Sequence, residues 1–247
     1  MISVLALAGL PEVRPGDDLG AALAAAAPGD LTADDILVVS HKVVSKAEGR
    51  LRALADVRPG HRAEELAAEH GKDPRLVQVV LDETRTLLRA ERGVLICETH
   101  SGLVCANAGV DQSNVAEGLA VLLPEDADAS ARRLRAEIGA ARGVTPAVVI
   151  ADSFGRAWRV GQVDVAVGAA GIAVLDDWRG RRDRDGRELR ATAIAAADAV
   201  AAAADLARAK DSGEPAVLVR GLGRLVRAEH GPGAAALRRV RAEDLFR

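Results

Sequence analysis

The apolar positions of this chain fall mostly into short runs closed off by Gly, Pro, Asp or Asn, and such runs predict strands. Residues 3–7, 36–40, 94–97, 103–106, 147–151, 164–167, 172–175 and 216–219 read this way. Longer amphipathic or Ala-rich stretches predict helices over 19–27, 61–70 with a stop at Gly71, 75–82 after Pro74, 129–141 with a stop at Gly143, and 191–209. Strands and helices mix without regular alternation, which argues against a doubly wound sheet or a barrel. The expected class is α+β, with layered mixed sheets, helices and a hairpin-rich subdomain. The run VLICETHSGLVCA, residues 94–106, supplies one hairpin, turning at His100, Ser101 and Gly102. Mixed charges at 176–190 predict a surface loop or mobile flap, and the Arg-, Ala- and Gly-rich end from 224 onward predicts a loosely docked tail.

With 247 residues, 49% of them hydrophobic and 28% charged, the composition is that of a folded protein read as one module over 1–247, with room for two closely packed subdomains. Aromatic residues make up only 2%, with no Tyr, so the core must be built from Ala, Val, Leu and Ile. A net charge of −3 provides no strong field and argues against nucleic acid as a partner. Cys97 and Cys105 are too few for a disulfide scaffold and have no zinc spacing around them, which fits a reducing, cytoplasmic setting. No basic leader opens the chain, and the most apolar long segment, 191–207, carries Asp198 and Asp205, so no membrane anchor is expected.

Three tracts carry candidate chemistry. The first, SHKVVSKAEGR at 40–50, follows an apolar strand and reads as a polar loop bringing Lys42, Lys46 and Arg50 toward a ligand. An ammonium is a compact charge suited to phosphate oxygens, while a solvated basic turn is the ordinary alternative. The second, ANAGVDQSN at 106–114, gathers Asp111, Ser113 and Asn114, oxygen donors suited to a hard cation and a neighbouring phosphate; an Asx turn would use the same residues. In the third, VVIADSFGRAWRVGQVDVAVG at 148–168, an apolar strand ends in Asp152 and Ser153, a favoured place for a metal ligand. Arg156 and Arg159 follow as candidate anion holders, and Phe154 and Trp158 either serve the site or fill an Ala-rich core. There is no P-loop, no strand-linked G-x-G-x-x-G and no nucleophile elbow.

The strings KVVSKAEGR, CANAGVDQSN and DSFGRAWRVGQVDVAVGAAGI, in this order, resemble the coenzyme F420-0:L-glutamate ligase family. The resemblance runs from Gly9-Leu10-Pro11-Glu12 to Val219-Arg220-Gly221. It implies a GTP-dependent ligase that joins L-glutamate to the carboxylate of coenzyme F420-0 or its dehydro form, and extends a γ-linked tail. It also implies a homodimer, Mg²⁺ or Mn²⁺ as two ions, and K⁺. Carried onto this sequence, it makes Asp111, Asp152 and Ser153 metal ligands. Leu10, Pro11, Glu12, Val13, Ser40, His41, Lys46 and Asn114 become nucleotide contacts, and Asp111, Asp152 and Lys46 the catalytic groups.

The chain departs from the family pattern at several of these places. Ser153 stands for the usual Thr, Ala157 for Pro, and His41 for a small polar residue or Gln. Ala199 replaces a common acid, and Lys210 lies where some relatives carry an acidic or amide metal ligand. Those changes leave two other readings open, a ligase for another phosphorylated carboxylate and a GTP-binding relative without turnover. No fused flavin-binding reductase domain, of the kind some bacterial relatives carry, is expected.

Overall fold

A computed structural model describes residues 1–209 and 211–245. The first part of the chain forms β1 (Ser3–Ala6), α1 (Leu19–Ala26), β2 (Ile36–Ser40), α2 (His41–Ala47) and β3 (Leu51–Ala53). Next come α3 (His61–His70), α4 (Pro74–Asp82), β4 (Thr84–Glu91), β5 (Val94–Thr99), β6 (Val104–Ala106) and β7 (Leu119–Val121). The remainder is α5 (Ala127–Arg142), β8 (Ala147–Arg156), β9 (Arg159–Ala170), β10 (Leu175–Asp177), β11 (Ala193–Ala195), α6 (Ala196–Ala207) and β12 (Ala216–Arg220).

A five-stranded mixed sheet in the order β1-β12-β2-β8-β9 carries the main core. Its central strands are buried on both faces. Leu37, Val39, Val148 and Ile150 pack toward α1, α2 and α5, while Ile36, Val38, Val149 and Val217 pack toward α6. This is why those strands read as unbroken apolar runs instead of alternating ones. A three-stranded antiparallel sheet, β4-β5-β6, builds a separate cluster with α3 and α4 around Leu66, Val77, Val80, Leu95 and Cys97. The α+β class with a hairpin-rich part is therefore observed, and Cys97 pairs with Cys105 across the expected hairpin as two buried free thiols. The helix stops at Gly71 and Gly143 are left-handed, with φ of 64° and 70°.

Several expectations need correction. Residues 172–175 do not form a strand. Gly171, at φ 75°, turns the chain, leaving one bridge from Ile172 to Val226, and the strand begins at Leu175. The helix expected from 191 starts at Ala196, because Ala193–Ala195 pairs with β10 first. Strand β4 was unread, since its alternating charges mask a ladder that β5 completes. The segment 176–190 is a mostly exposed surface loop in which the Arg181 guanidinium lies 4.1 Å above the Trp178 ring.

The tail is not loose over 227–235. Buried Arg135 of α5 donates to the carbonyls of Arg227 and Ala228 at 2.9 and 3.0 Å, and buried Asp128 accepts from Ala234 N and Ala235 N at 2.7 and 3.1 Å. Close approach of β9 to α5 also needs Gly168, where a Cβ would stand 2.3 Å from Ala127 O and 2.4 Å from its carbonyl carbon. Backbone cannot yield as a side chain does, so Gly168→Ala is expected to cost about 1–3 kcal/mol or more. Thermal melting checks this, and an unchanged midpoint would show that the two elements separate freely.

Candidate active site

Strands β2 and β8 are parallel neighbours, with Ser40 opposite Ala151, so the chain leaves both at the same end of the sheet. From β2 it enters α2 at once. The tract expected as a basic loop is thus a helix over His41–Ala47. Val44 is fully buried, and Val43 and Ala47 pack against the same core, a burial that outweighs the charges around them.

Helix α2 ties the candidate tracts together. His41 Nε2 lies 3.2 Å from Asp152 Oδ1. Lys42 Nζ lies 2.5 Å from Asp111 Oδ2 and also donates to the Ser113 hydroxyl. Lys46 is buried and donates to Glu12 Oε1 at 2.6 Å. Residues 12, 111 and 152, far apart in sequence, therefore meet across one helix of seven residues.

Asp111 sits in a tight loop whose backbone bridges to Val121. Its Oδ1 accepts from Ser113 N and its Oδ2 from the Ser113 hydroxyl, both at 2.8 Å, which is the Asx turn anticipated as the ordinary reading. Asn107, Ala108 and Asn114 have φ of 51°, 52° and 57°, so this loop is held in left-handed backbone that its two asparagines tolerate. Burial works against the Asp111 charge, but the Lys42 ammonium and the two Ser113 bonds outweigh it and hold the carboxyl below the usual carboxylate range. The carboxylate already attracts one cation.

Asp152 does not end its strand, as expected, but lies within it. β8 runs on to Arg156 because β9 stays paired with it beyond the last residue of β2. Asp152 Oδ1 accepts from Ser153 N at 2.8 Å, and the Ser153 hydroxyl donates to Asp164 Oδ1 at 2.6 Å. Asp164 is fully buried and paired with Arg208. Strand β6 lies against β8, and burial, with the Asp152 carboxylate nearby, pushes the Cys105 thiol up to about 12.

Other expected residues divide between near and far. Ser40 precedes α2, and Glu12 reaches it through the Lys46 pair, whereas Leu10 packs against the main core, Pro11 is exposed, and the Val13 side chain is buried and leaves only backbone for a ligand. Asn114 is exposed three residues beyond Asp111. Arg156 and Arg159 stand near the exposed tip of the β8–β9 hairpin, with Arg156 bound to Val160 O at 2.6 Å, and Trp158 is 81% exposed there. Phe154 packs against the main core, its bulk-filling alternative. Ala199 faces solvent, while its neighbour Asp198 accepts from Ala166 N at 2.9 Å. Lys210 lies outside the described residues. Sequence reasoning missed Asp164 and Arg208. Asp164 had a signal, being the one charge in VGQVDVAVG, whereas Arg208 had none.

Asp111, Asp152 and Ser153 offer hard oxygen donors of the kind Mg²⁺ and Mn²⁺ take. Among the described residues no three His, Cys, Asp or Glu side chains gather into a complete ligand set. Comparison with known proteins gives these residues a setting. The F420-0:Gamma-glutamyl ligase family model matches residues 9–221. The coenzyme F420:L-glutamate ligase of Methanopyrus kandleri is 46% identical over 238 residues, 96% of this chain and 94% of that protein. That of Methanothermobacter thermautotrophicus is 41% identical over 252 aligned positions, covering 100% and 99%. That of Haloarcula marismortui is 45% identical over 226, covering 89% and 87%. Since the matched span includes every tract joined at α2, and whole-length relatives agree with it, the chain belongs to the F420-0:gamma-glutamyl ligase family.

Proposed function

We propose that this protein is a GTP-dependent ligase that joins the amine of L-glutamate to the carboxylate of coenzyme F420-0 or its dehydro form, and extends the product through γ-linked glutamates. The observation that carries this reading is the convergence on α2 of Glu12, Asp111 and Asp152 with His41, Lys42 and Lys46. A carboxylate is a poor acyl donor. Its oxygen would attack the γ-phosphorus of GTP, the bond to the GDP oxygen would break, and the acyl phosphate would form. The glutamate nitrogen then attacks the acyl carbon, phosphate leaves, and the amine sheds its proton to solvent.

Catalysis of such a transfer is mainly positioning and charge neutralisation. Lys46 is buried against Glu12, and a γ-phosphate that displaces that carboxylate gains a cation already held in place. Lys42 keeps Asp111 ionised and near α2. Asp111, Asp152 and Ser153 would hold Mg²⁺ or Mn²⁺, with phosphate oxygens and water completing the shell, and the bound ion would spread the phosphate charge. Leu10, Pro11, Ser40, His41 and Asn114 would contact the nucleotide. K⁺ and a homodimer belong to the same reading.

Incubation with GTP, Mn²⁺, L-glutamate and coenzyme F420-0 should raise the product mass by one glutamyl unit and release phosphate only when both acceptor and glutamate are present. No mass gain removes the proposal. Phosphate release with a different phosphorylated carboxylate would reassign the acceptor.

A further inference from the structure

We propose that His41 supplies a ring nitrogen to the divalent ion at Asp152, so that this site favours Mn²⁺ over Mg²⁺. The inference deepens the metal-dependent ligase reading and rests on it. His41 is 1% exposed, yet among the described residues neither ring nitrogen has a hydrogen-bond partner. A buried polar atom left without a partner costs about 1–3 kcal/mol, so an imidazole with two is poised for a ligand. Its Nε2 stands 3.2 Å from Asp152 Oδ1 without the alignment of a hydrogen bond.

That separation is what two ligands of one ion keep. Neighbouring corners of an octahedron with bonds of roughly 2.1 Å lie about 3 Å apart. Both groups are already fixed. His41 is the first residue of α2, which fully buried Val44 anchors in the core, and Asp152 Oδ1 is oriented by the Ser153 N–H. One imidazole and one carboxylate leave the other positions to phosphate oxygens and water. Mg²⁺ takes oxygen and parts from its water reluctantly, whereas Mn²⁺, although it too favours oxygen and is the weakest binder of the first-row series, accepts an imidazole nitrogen more readily than Mg²⁺ does.

The test uses the wild-type protein with GDP and Mn²⁺, prepared with ordinary and with ¹⁵N-labelled histidine, and pulsed electron paramagnetic resonance of the bound ion. A directly bound imidazole gives a nitrogen coupling that changes with the isotope and disappears in His41→Gln. Titration should show Mn²⁺ affinity falling by about tenfold or more in that variant, since even outer partners of metal ligands are worth roughly 10–100-fold, with Mg²⁺ affinity little changed. The isotope comparison shows whether an imidazole binds the ion, and loss of the coupling in His41→Gln, or in His41→Asn should that variant fold poorly, assigns it to His41 among the five histidines. Mn²⁺ bound in an oxygen-only environment overturns the role of His41 and leaves the metal site standing. No Mn²⁺ binding at all overturns both.

Discussion

Replacing Asp152 with alanine is expected to lower glutamyl-transfer turnover by roughly 10²–10³-fold or more, the scale of removing one preorganised electrostatic partner from a reacting centre. The fold should survive. Asp152 lies beyond the stretch of β8 that pairs with β2, its strand pairing with Val165 is made by backbone, and its side chain accepts the neighbouring Ser153 N–H at 2.8 Å and faces His41. An alanine there leaves the fully buried run Ala147, Val148, Val149, Ile150 and Ala151 as it was. Steady-state phosphate release measured beside the thermal midpoint separates the two effects. Near wild-type turnover would remove Asp152 from the site, while a large fall in the midpoint would make it a structural residue.

Asp164→Asn is expected to produce the largest loss of stability. Its carboxylate is fully buried, paired with Arg208, whose side chain is 9% exposed, and accepts the Ser153 hydroxyl at 2.6 Å. Removing one charge of a buried pair strands the other, which costs about 3–5 kcal/mol, or roughly 6–20 °C in the thermal midpoint of a chain this long. Converting both partners together, Asp164→Leu with Arg208→Met, should recover part of the loss, because neither member of this pair is then left charged against an apolar partner. A drop below about 2 °C for the single variant would show that water reaches the pair, since such a pair is worth little.

Much of the candidate site was legible in residue types. Asp111, Asp152, Ser153 and Lys46 could be named because acids, hydroxyls and ammonium groups are uncommon beside apolar runs such as ILVV and VVIA. The helical nature of residues 41–47 was not legible. Lys42 and Lys46 make that stretch look solvated, and only the core supplied by β2, β8 and α5 shows why Val43, Val44 and Ala47 turn inward. Asp164 and Arg208 were missed for the same reason. A buried ion pair spans 44 positions, and no local pattern records which distant charge will neutralise which.

By itself the sequence determined the α+β class, the central apolar strands, the capped helices and the inventory of groups able to handle phosphate and a hard cation. Those follow from periodicity, turn chemistry and side-chain type, which act over a few residues. The tertiary structure alone decided that β2 and β8 run in parallel and end together, and hence that His41 faces Asp152 while Lys42 faces Asp111. Strand pairing and charge partnership are settled by the burial of two sheet faces at once, a condition that distant segments satisfy only jointly.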